Sequence, residues 1–528
     1  MEIDLNAIGF LSNTTSAFLK KDPALLALVP DTHPFHSAEI AIQLKRNFPA
    51  EKRQTLVNVL KEQYDEIGLG DNSSINTLIE SLNSPNTYTV TTGQQLHLFM
   101  GPAFMVYKLL SAVKAAEAYQ QQFPDCKFLP VFWLASEDHD FEEIKNTPVL
   151  GQQYPWVTNQ TGACGEFHLK DISTVFDPLF EKFKSDAVTT ELLKKFEVIY
   201  TSSETLSEAT RKLTHLLFGE YGLLCIEPNH KALKNLFKPT IQKEIFEHKS
   251  EHLFNSFGSV LEQANFHLQL KARPVNLFYL TKGNRNRIEL KDETYFINST
   301  EIQFSKEEMA AEIEFHPERF SPNAVLRPVY QESILPNIAY IGGNAEINYW
   351  LQLTSIFAHH GVSGPALILR QSVWSMRQKQ WKLLESNNLT PLSLFKAEGK
   401  MALLALIEKD NLENPLDNIL TNFLSIKKSA QDTIHNMGLS NLNQLSELGK
   451  QYEKALKDAQ KQGNEKLLEK KGAEFIKIEQ LKNELFNLTA IQERVTSSLE
   501  YLIKAPAYIN FCSKNLDFKP GYGFFLIY

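Results

Sequence analysis

The chain has 528 residues, with 54 Lys and Arg against 62 Asp and Glu for a formal charge of −8, and no Lys/Arg-rich block that could follow a phosphate backbone, so nucleic acid is not the expected partner. Its length implies roughly two to four structural units, enough to enclose a cleft. Cys126, Cys164, Cys225 and Cys512 show no paired spacing, no apolar run approaches the ~20 residues that span a bilayer, and the opening "MEIDLNAIGFLSN" lacks a basic segment followed by an apolar one; the expectation is a soluble cytoplasmic protein without disulfides or membrane contact.

From about residue 87 to 370, short β-branched or aromatic runs alternate with helical patterns, which is the rhythm of an α/β fold with a mostly parallel sheet. Strands are expected at 87–92, 127–135, 222–227, 323–329, 339–343 and 365–370. Two insertions interrupt the rhythm, at about 145–215 and about 270–320. In the second, "VNLFYLTKGNRNRIELKDETYFINS" (275–299) alternates around Gly283 and Asn284 and predicts hairpins. The domain reading is therefore a core over 1–380 including both insertions, a helical unit over 381–505, and a terminal segment, 506–528, that returns to the core.

Within the helical unit, Leu445, Leu448, Tyr452, Ala455 and Ala459 recur at helical spacing, as do Ile478, Leu481, Leu485 and Leu488, continued by Val495, Leu499 and Leu502. Gly463 and Asn464 offer a turn between the two arms, which predicts an antiparallel helical hairpin. The apolar "YGFFLIY" at the end predicts an edge strand.

Three strand exits carry candidate chemistry. After the first strand, "TGQQLHLFMGPAFMVYK" places Thr92, Gly93, Gln94 and Gln95 before Gly101 and Pro102, and proline suits the first position of a helix. A strand, a loop of amide donors and a helix start form an anion site by dipole physics. The next strand empties into Glu137, Asp138, His139 and Asp140. The start of a helix accounts for Asp140 onward, but not for an acidic cluster directly after a buried strand. Carboxylates this close suit general base work, a socket for ammonium groups, or a metal ion. Farther on, Gly342 and Gly343 form a second flexible exit before Glu346, Asn348 and Tyr349, while Arg327, Arg370 and Ser372 fall at other strand ends, where arginine suits a carboxylate or phosphate.

"HKSEH" (248–252) matches the H-x-x-E-H pattern of zinc peptidases, and a zinc-dependent hydrolase using His248, Glu251 and His252 is one alternative; its densely charged setting favours a solvated helix instead. A non-catalytic scaffold with a degenerate nucleotide fold is another. Neither a phosphate loop of the G-x-x-x-x-G-K-[ST] type nor a G-x-G-x-x-G fingerprint occurs.

The segments "TGQQ" with "GPAFMVYK", "PVFWLASEDHDFEEI", "LRPVYQESILPNIAYIGGNAEINYW", "ILRQS" and "LTAIQERV", in this order along nearly the whole chain, resemble the BshC family, the cysteine-adding enzymes of bacillithiol biosynthesis. The resemblance implies a Rossmann-like core related to class I aminoacyl-tRNA synthetases, two insertions, and a helical coiled-coil domain through which a homodimer forms. It also implies that L-cysteine is added to glucosaminyl-malate with ATP consumed. On that basis ATP, with Mg2+, is expected against the Gly93 to Pro102 turn, the cysteine and glucosamine amines against residues 137–140, and the malate carboxylates against Arg327 and Arg370. His139 or a neighbouring carboxylate is expected to take the proton of the attacking amine.

Overall fold

Alternating apolar side chains buried on both faces define the central sheet of the computed structural model, which describes residues 1–29, 33–397, 402–403, 415–437, 443–469, 472–486 and 491–528. Its strands are β1 (Thr87–Gln94), β2 (Lys127–Leu134), β3 (Leu224–Ile226), β4 (Asn337–Gly342) and β5 (Ala366–Leu369), ordered β5-β4-β1-β2-β3 and parallel throughout. Leu129, Val131 and Trp133 of β2 pack into one core with Phe237 and Ile241, and Phe132 and Leu134 pack into another with Leu109 and Leu110. A sheet covered on both faces requires such near-continuous apolar strands.

The connections set where a ligand can sit. From β1 the chain passes through α1 (Phe104–Gln122) to β2 on one side, and later returns to lay β4 against the other side of β1. The strand order therefore reverses between β1 and β4, the place where a parallel sheet opens a crevice beyond its carboxyl ends.

Of the six expected strands, five form. The exception is 323–329, where the Asn323 side chain accepts the amides of Val325 (2.9 Å) and Leu326 (3.2 Å) and Pro328 occupies the first helical turn, so Arg327 begins a helix, α3 (Arg327–Ile334), instead of ending a strand. Capping and proline chemistry outweigh apolar alternation here. The first insertion forms the hairpin Asn146–Val149/Gln152–Pro155 followed by helices Ser173–Phe183, Ala187–Thr201 and Leu206–Phe218. The second forms a five-stranded antiparallel sheet whose Leu277–Thr281 and Asn284–Lys291 strands turn at Gly283. The terminal strand Tyr522–Ile527 joins a separate three-stranded sheet, pairing antiparallel with Glu2–Asp4.

Two compact units emerge, Met1–Trp374 with Glu493–Leu526, and Ser375–Gln492. In the second, Gly463 and Asn464 lie inside one helix, Asn443–Glu469, and do not turn the chain. The surrounding helix-forming residues outweigh the ~1 kcal/mol that an interior glycine costs. The antiparallel partner is instead Pro415–Asn436, held by the Lys427–Glu453 ion pair and by Phe423 against Tyr452 at 4.9 Å. Leu448 and Tyr452 are exposed, whereas Ile478, Leu481 and Leu485 are buried. Leu488 and the side chain of Leu445 lie outside the described residues.

A buried polar knot joins β1 to β4. Asn337 accepts hydroxyls from Thr89 (3.1 Å) and Thr91 (2.7 Å) and donates to Glu332 (2.7 Å), which is paired with the buried Lys45. Replacing Asn337 with Ala removes the acceptor of the Thr89 and Thr91 hydroxyls and one of the donors to Glu332, and is expected to lower unfolding stability by about 2–3 kcal/mol, read as a lower urea midpoint at unchanged slope.

Candidate active site

Gly93, Gln94 and Gln95 at the exit of β1 and Glu137 and Asp138 beyond β2 line one cleft of about 470 Å³. Tyr340 of β4, Arg327 of α3, and Glu346 and Tyr349 of α4 (Asn344–Leu351) close its other side, and the second insertion adds Phe278 and Arg285. A Cβ placed on Gly93 would stand 3.5 Å from the Arg327 guanidinium and from the Tyr340 hydroxyl, which shows how closely the strand end and α3 converge.

Lys108 holds this geometry. It is the one charged residue among the apolar neighbours of "AFMVYKLLSAV" in α1, it is 1 % exposed, and its ammonium donates to the Gly93 carbonyl (2.6 Å), Gln94 Oε1 (3.2 Å) and Glu346 Oε2 (2.6 Å). Glu346 in turn accepts the Tyr340 hydroxyl (2.6 Å) and the Gly343 amide (2.8 Å). Burial pushes the Glu346 carboxyl up, but Lys108, Tyr340 and Gly343 together hold it below its ordinary value of 4.5.

The acidic cluster is divided by its surroundings. Glu137 is buried and ion-paired with the fully buried Lys234 of helix α2 (Lys231–Glu247), which also donates to the Phe320 carbonyl at 2.7 Å. Asp138 is partly exposed; its Oδ2 accepts from Gln95 Nε2 at 2.8 Å, and its Oδ1 accepts the His139 amide at 2.8 Å. His139 and Asp140 do not line the cleft. His139 Nδ1 stands 3.2 Å from the Arg285 guanidinium, which only donates, so Nδ1 accepts and the ring proton lies on Nε2. The imidazole thus has no free acceptor nitrogen, and the carboxylate of Asp138 is the base the cleft presents.

Two cations remain without carboxylate partners among the described residues. Arg327 donates to Gln331 (3.1 Å), Tyr349 (3.2 Å) and Tyr340 (3.4 Å); burial opposes its charge, and Tyr340, Tyr349 and Glu346 more than restore it. Arg285 is fixed by Ser321 (2.9 Å) and the Pro322 carbonyl (3.0 Å), with its guanidinium 4.1 Å from the Phe278 ring.

Other expected site residues fall elsewhere. Phe99, Met100 and Gly101 all have positive φ, which drives Leu98, Phe99 and Met100 into the core, and a Cβ on Gly101 would meet His97 at 2.5 Å. Three amides of this loop are already bonded: Phe99 donates to the Tyr200 hydroxyl, Gly101 to the Leu98 carbonyl and Ala103 to the Thr496 carbonyl. Gly101 and Pro102 therefore form a core plug and not an anion cradle. Thr92 is buried and stitches β1 to the Ile341 carbonyl at 2.8 Å. Gly342 and Gly343 place Glu346 without lining the cleft, and Asn348 anchors the amino-terminal helix Asn13–Lys20 through Thr15 at 2.8 Å. Arg370 and Ser372 line a different pocket from Arg327. His248 ends α2 in the left-handed conformation (φ 53°), and Glu251 and His252 belong to the next helix, Ser250–Gln263, which breaks the continuous helix that the zinc pattern needs.

The chain matches the family model described as "Bacillithiol biosynthesis BshC, N-terminal Rossmann-like domain" over residues 2–371. A protein of Christiangramia forsetii is 34% identical over 473 residues, covering 87% of this chain and 86% of the relative; one of Flavobacterium johnsoniae is 33% identical over 495 residues, covering 93% and 89%. One of Cytophaga hutchinsonii is 41% identical over 362 residues, covering 68% and 66%. Each bears the name "Putative cysteine ligase BshC".

Because the folded carboxyl of Glu346 is held below its unfolded value, its contribution to stability is present above pH 4.5 and is lost as the pH falls further. Denaturation curves recorded across that range should show a steeper acid loss for the wild type than for Glu346→Gln.

Proposed function

The chain belongs to the bacillithiol biosynthesis BshC family, and on that premise we propose that it is an enzyme, a ligase that joins the carboxyl of L-cysteine to the amino group of glucosaminyl-malate. The observation that carries this reading is one cleft holding an accessible carboxylate, Asp138, beside two guanidinium groups, Arg285 and Arg327, that form no ion pair among the described residues.

Glucosaminyl-malate has the complementary pattern, an ammonium at one end and two carboxylates at the other. Its ammonium docks at Asp138, which removes the proton that must leave before nitrogen can attack. Its carboxylates meet Arg327 and Arg285, where charge-assisted hydrogen bonds fix the orientation. Gln95 holds the Asp138 carboxylate toward the cleft, and Lys234 neutralises Glu137 so that a second negative charge does not compete for the ammonium. ATP, with Mg2+, supplies the activation of the cysteine carboxylate when bound. The amides at Gly93 to Gln95 and the position of the cleft at the strand-order reversal support a nucleotide there, as does the relation to class I aminoacyl-tRNA synthetases that the family resemblance implies. Assembly as a homodimer through a coiled coil in the helical unit and a cytoplasmic location complete the proposal.

Two substitutions test it. Asp138→Asn is expected to lower kcat for thiol product formation by about 10²–10⁴ with an unchanged fold, while His139→Gln costs less than tenfold; the reverse ranking would remove Asp138 from the role of base. Arg327→Gln should raise KM for glucosaminyl-malate about 10- to 100-fold, as expected for loss of a charge-assisted contact. An unchanged KM would place the malate elsewhere.

A further inference from the structure

Outside the cleft, a smaller pocket of about 180 Å³ is lined by Phe10, Leu11, Asn344, Arg370, Ser372 and Arg494, together with Leu369. Two guanidinium groups converge on it. Arg370 and Arg494 stand 5.2 and 5.4 Å from the centroid of the same ring, Phe104. One carboxylate accompanies them, and it is committed: Glu493 accepts Arg370 Nη2 at 2.6 Å and the Val373 amide at 3.0 Å. Glu346 is occupied by Lys108, Tyr340 and Gly343. Arg494 is exposed and forms no hydrogen bond or ion pair among the described residues; Glu493 and Glu346 favour its charge through space, but each is committed to other partners. Arg370 opposes the charge of Arg494, and an anion in the pocket would relieve that opposition.

The neutral groups point to the same ligand. Ser372 is 3 % exposed and lines the pocket, and its hydroxyl forms no hydrogen bond to the other described residues, which leaves it available to a ligand or to water. Asn344 accepts from the Ser12 amide and hydroxyl, both at 3.2 Å, through Oδ1, leaving the donors of its amide nitrogen without a partner among those residues. The pocket thus combines excess positive charge with hydroxyl and amide donors, in a volume suited to a small ion.

We propose that this pocket binds a single small oxyanion, a phosphate or a carboxylate group, through Arg494, Ser372 and Asn344, with Arg370 supporting it from the wall. The site is separate from the cleft and does not depend on the ligase reading. Isothermal titration of the full chain with inorganic phosphate, and in a parallel arm with malonate, tests it and separates the two sources of the anion. Wild type is expected to show a binding event that Arg494→Glu weakens at least tenfold and Ser372→Ala weakens about two- to tenfold, while Arg327→Gln, in the cleft, leaves that event in place. Both substitutions spare the Arg370–Glu493 pair, so loss of binding is not loss of fold. The proposal falls if neither anion binds the wild type, or if both pocket variants bind as the wild type does. Because the readout is a simple anion bound to the whole chain, it decides this pocket whether or not cysteine ligation is confirmed.

Discussion

The geometry of the cleft depends on one buried ammonium. Lys108 is tolerable inside an apolar helix because all three of its donors find acceptors, two from the end of β1 and one from Glu346 on α4. An ammonium withdrawn from water costs several kcal/mol unless it is paired and fully hydrogen-bonded. That constraint locks the strand end to the helix that follows β4. The same carboxylate, through Tyr340, fixes the hydroxyl to which Arg327 donates. Strand, helix and guanidinium are thereby set by a single point of contact.

A second buried lysine settles the character of the acidic stretch. Neighbouring carboxylates repel, and the fold relieves this by withdrawing Glu137 into an ion pair with Lys234 while leaving Asp138 partly exposed and oriented by Gln95. Of the two carboxylates, only Asp138 remains accessible from the cleft. The insertion then contributes Arg285, which both supplies positive charge to the cleft and holds the tautomer of His139. An inserted hairpin can do this because its strands are rigid enough to aim a side chain, with Ser321 and Pro322 of the same sheet fixing the guanidinium. The cleft is thus amphoteric, with Asp138 the carboxylate outside a lysine ion pair and two guanidinium groups across from it, whereas the smaller pocket gathers Arg370 and Arg494 around the single carboxylate of Glu493.

The sheet was legible in the residues themselves. Apolar runs bounded by turn residues located five strands, and the strand exits at Gly93 and Glu137 followed from the alternation of strand and helix; both now line one cleft. The misread strand at 323–329 shows the limit of periodicity, since a cap from Asn323 and a proline in the first turn overrode the alternating pattern. The same limit applies to Gly463 and Asn464, where a local turn signal yields to the helix around it. Lys108 carried a signal, a lone charge in an apolar helix, whereas Lys234 and Arg285 sit among other polar residues and have no local mark.

The sequence by itself determined the elements and which of them end in groups capable of proton transfer or anion binding, because apolar periodicity and residue chemistry are local properties. Only the tertiary structure decided which charges are cancelled and which are left to act, separating Glu137 from Asp138 and Arg327 from Arg370. The physical reason is that a charge is defined functionally by its partner and its access to water, and both are supplied by residues distant along the chain.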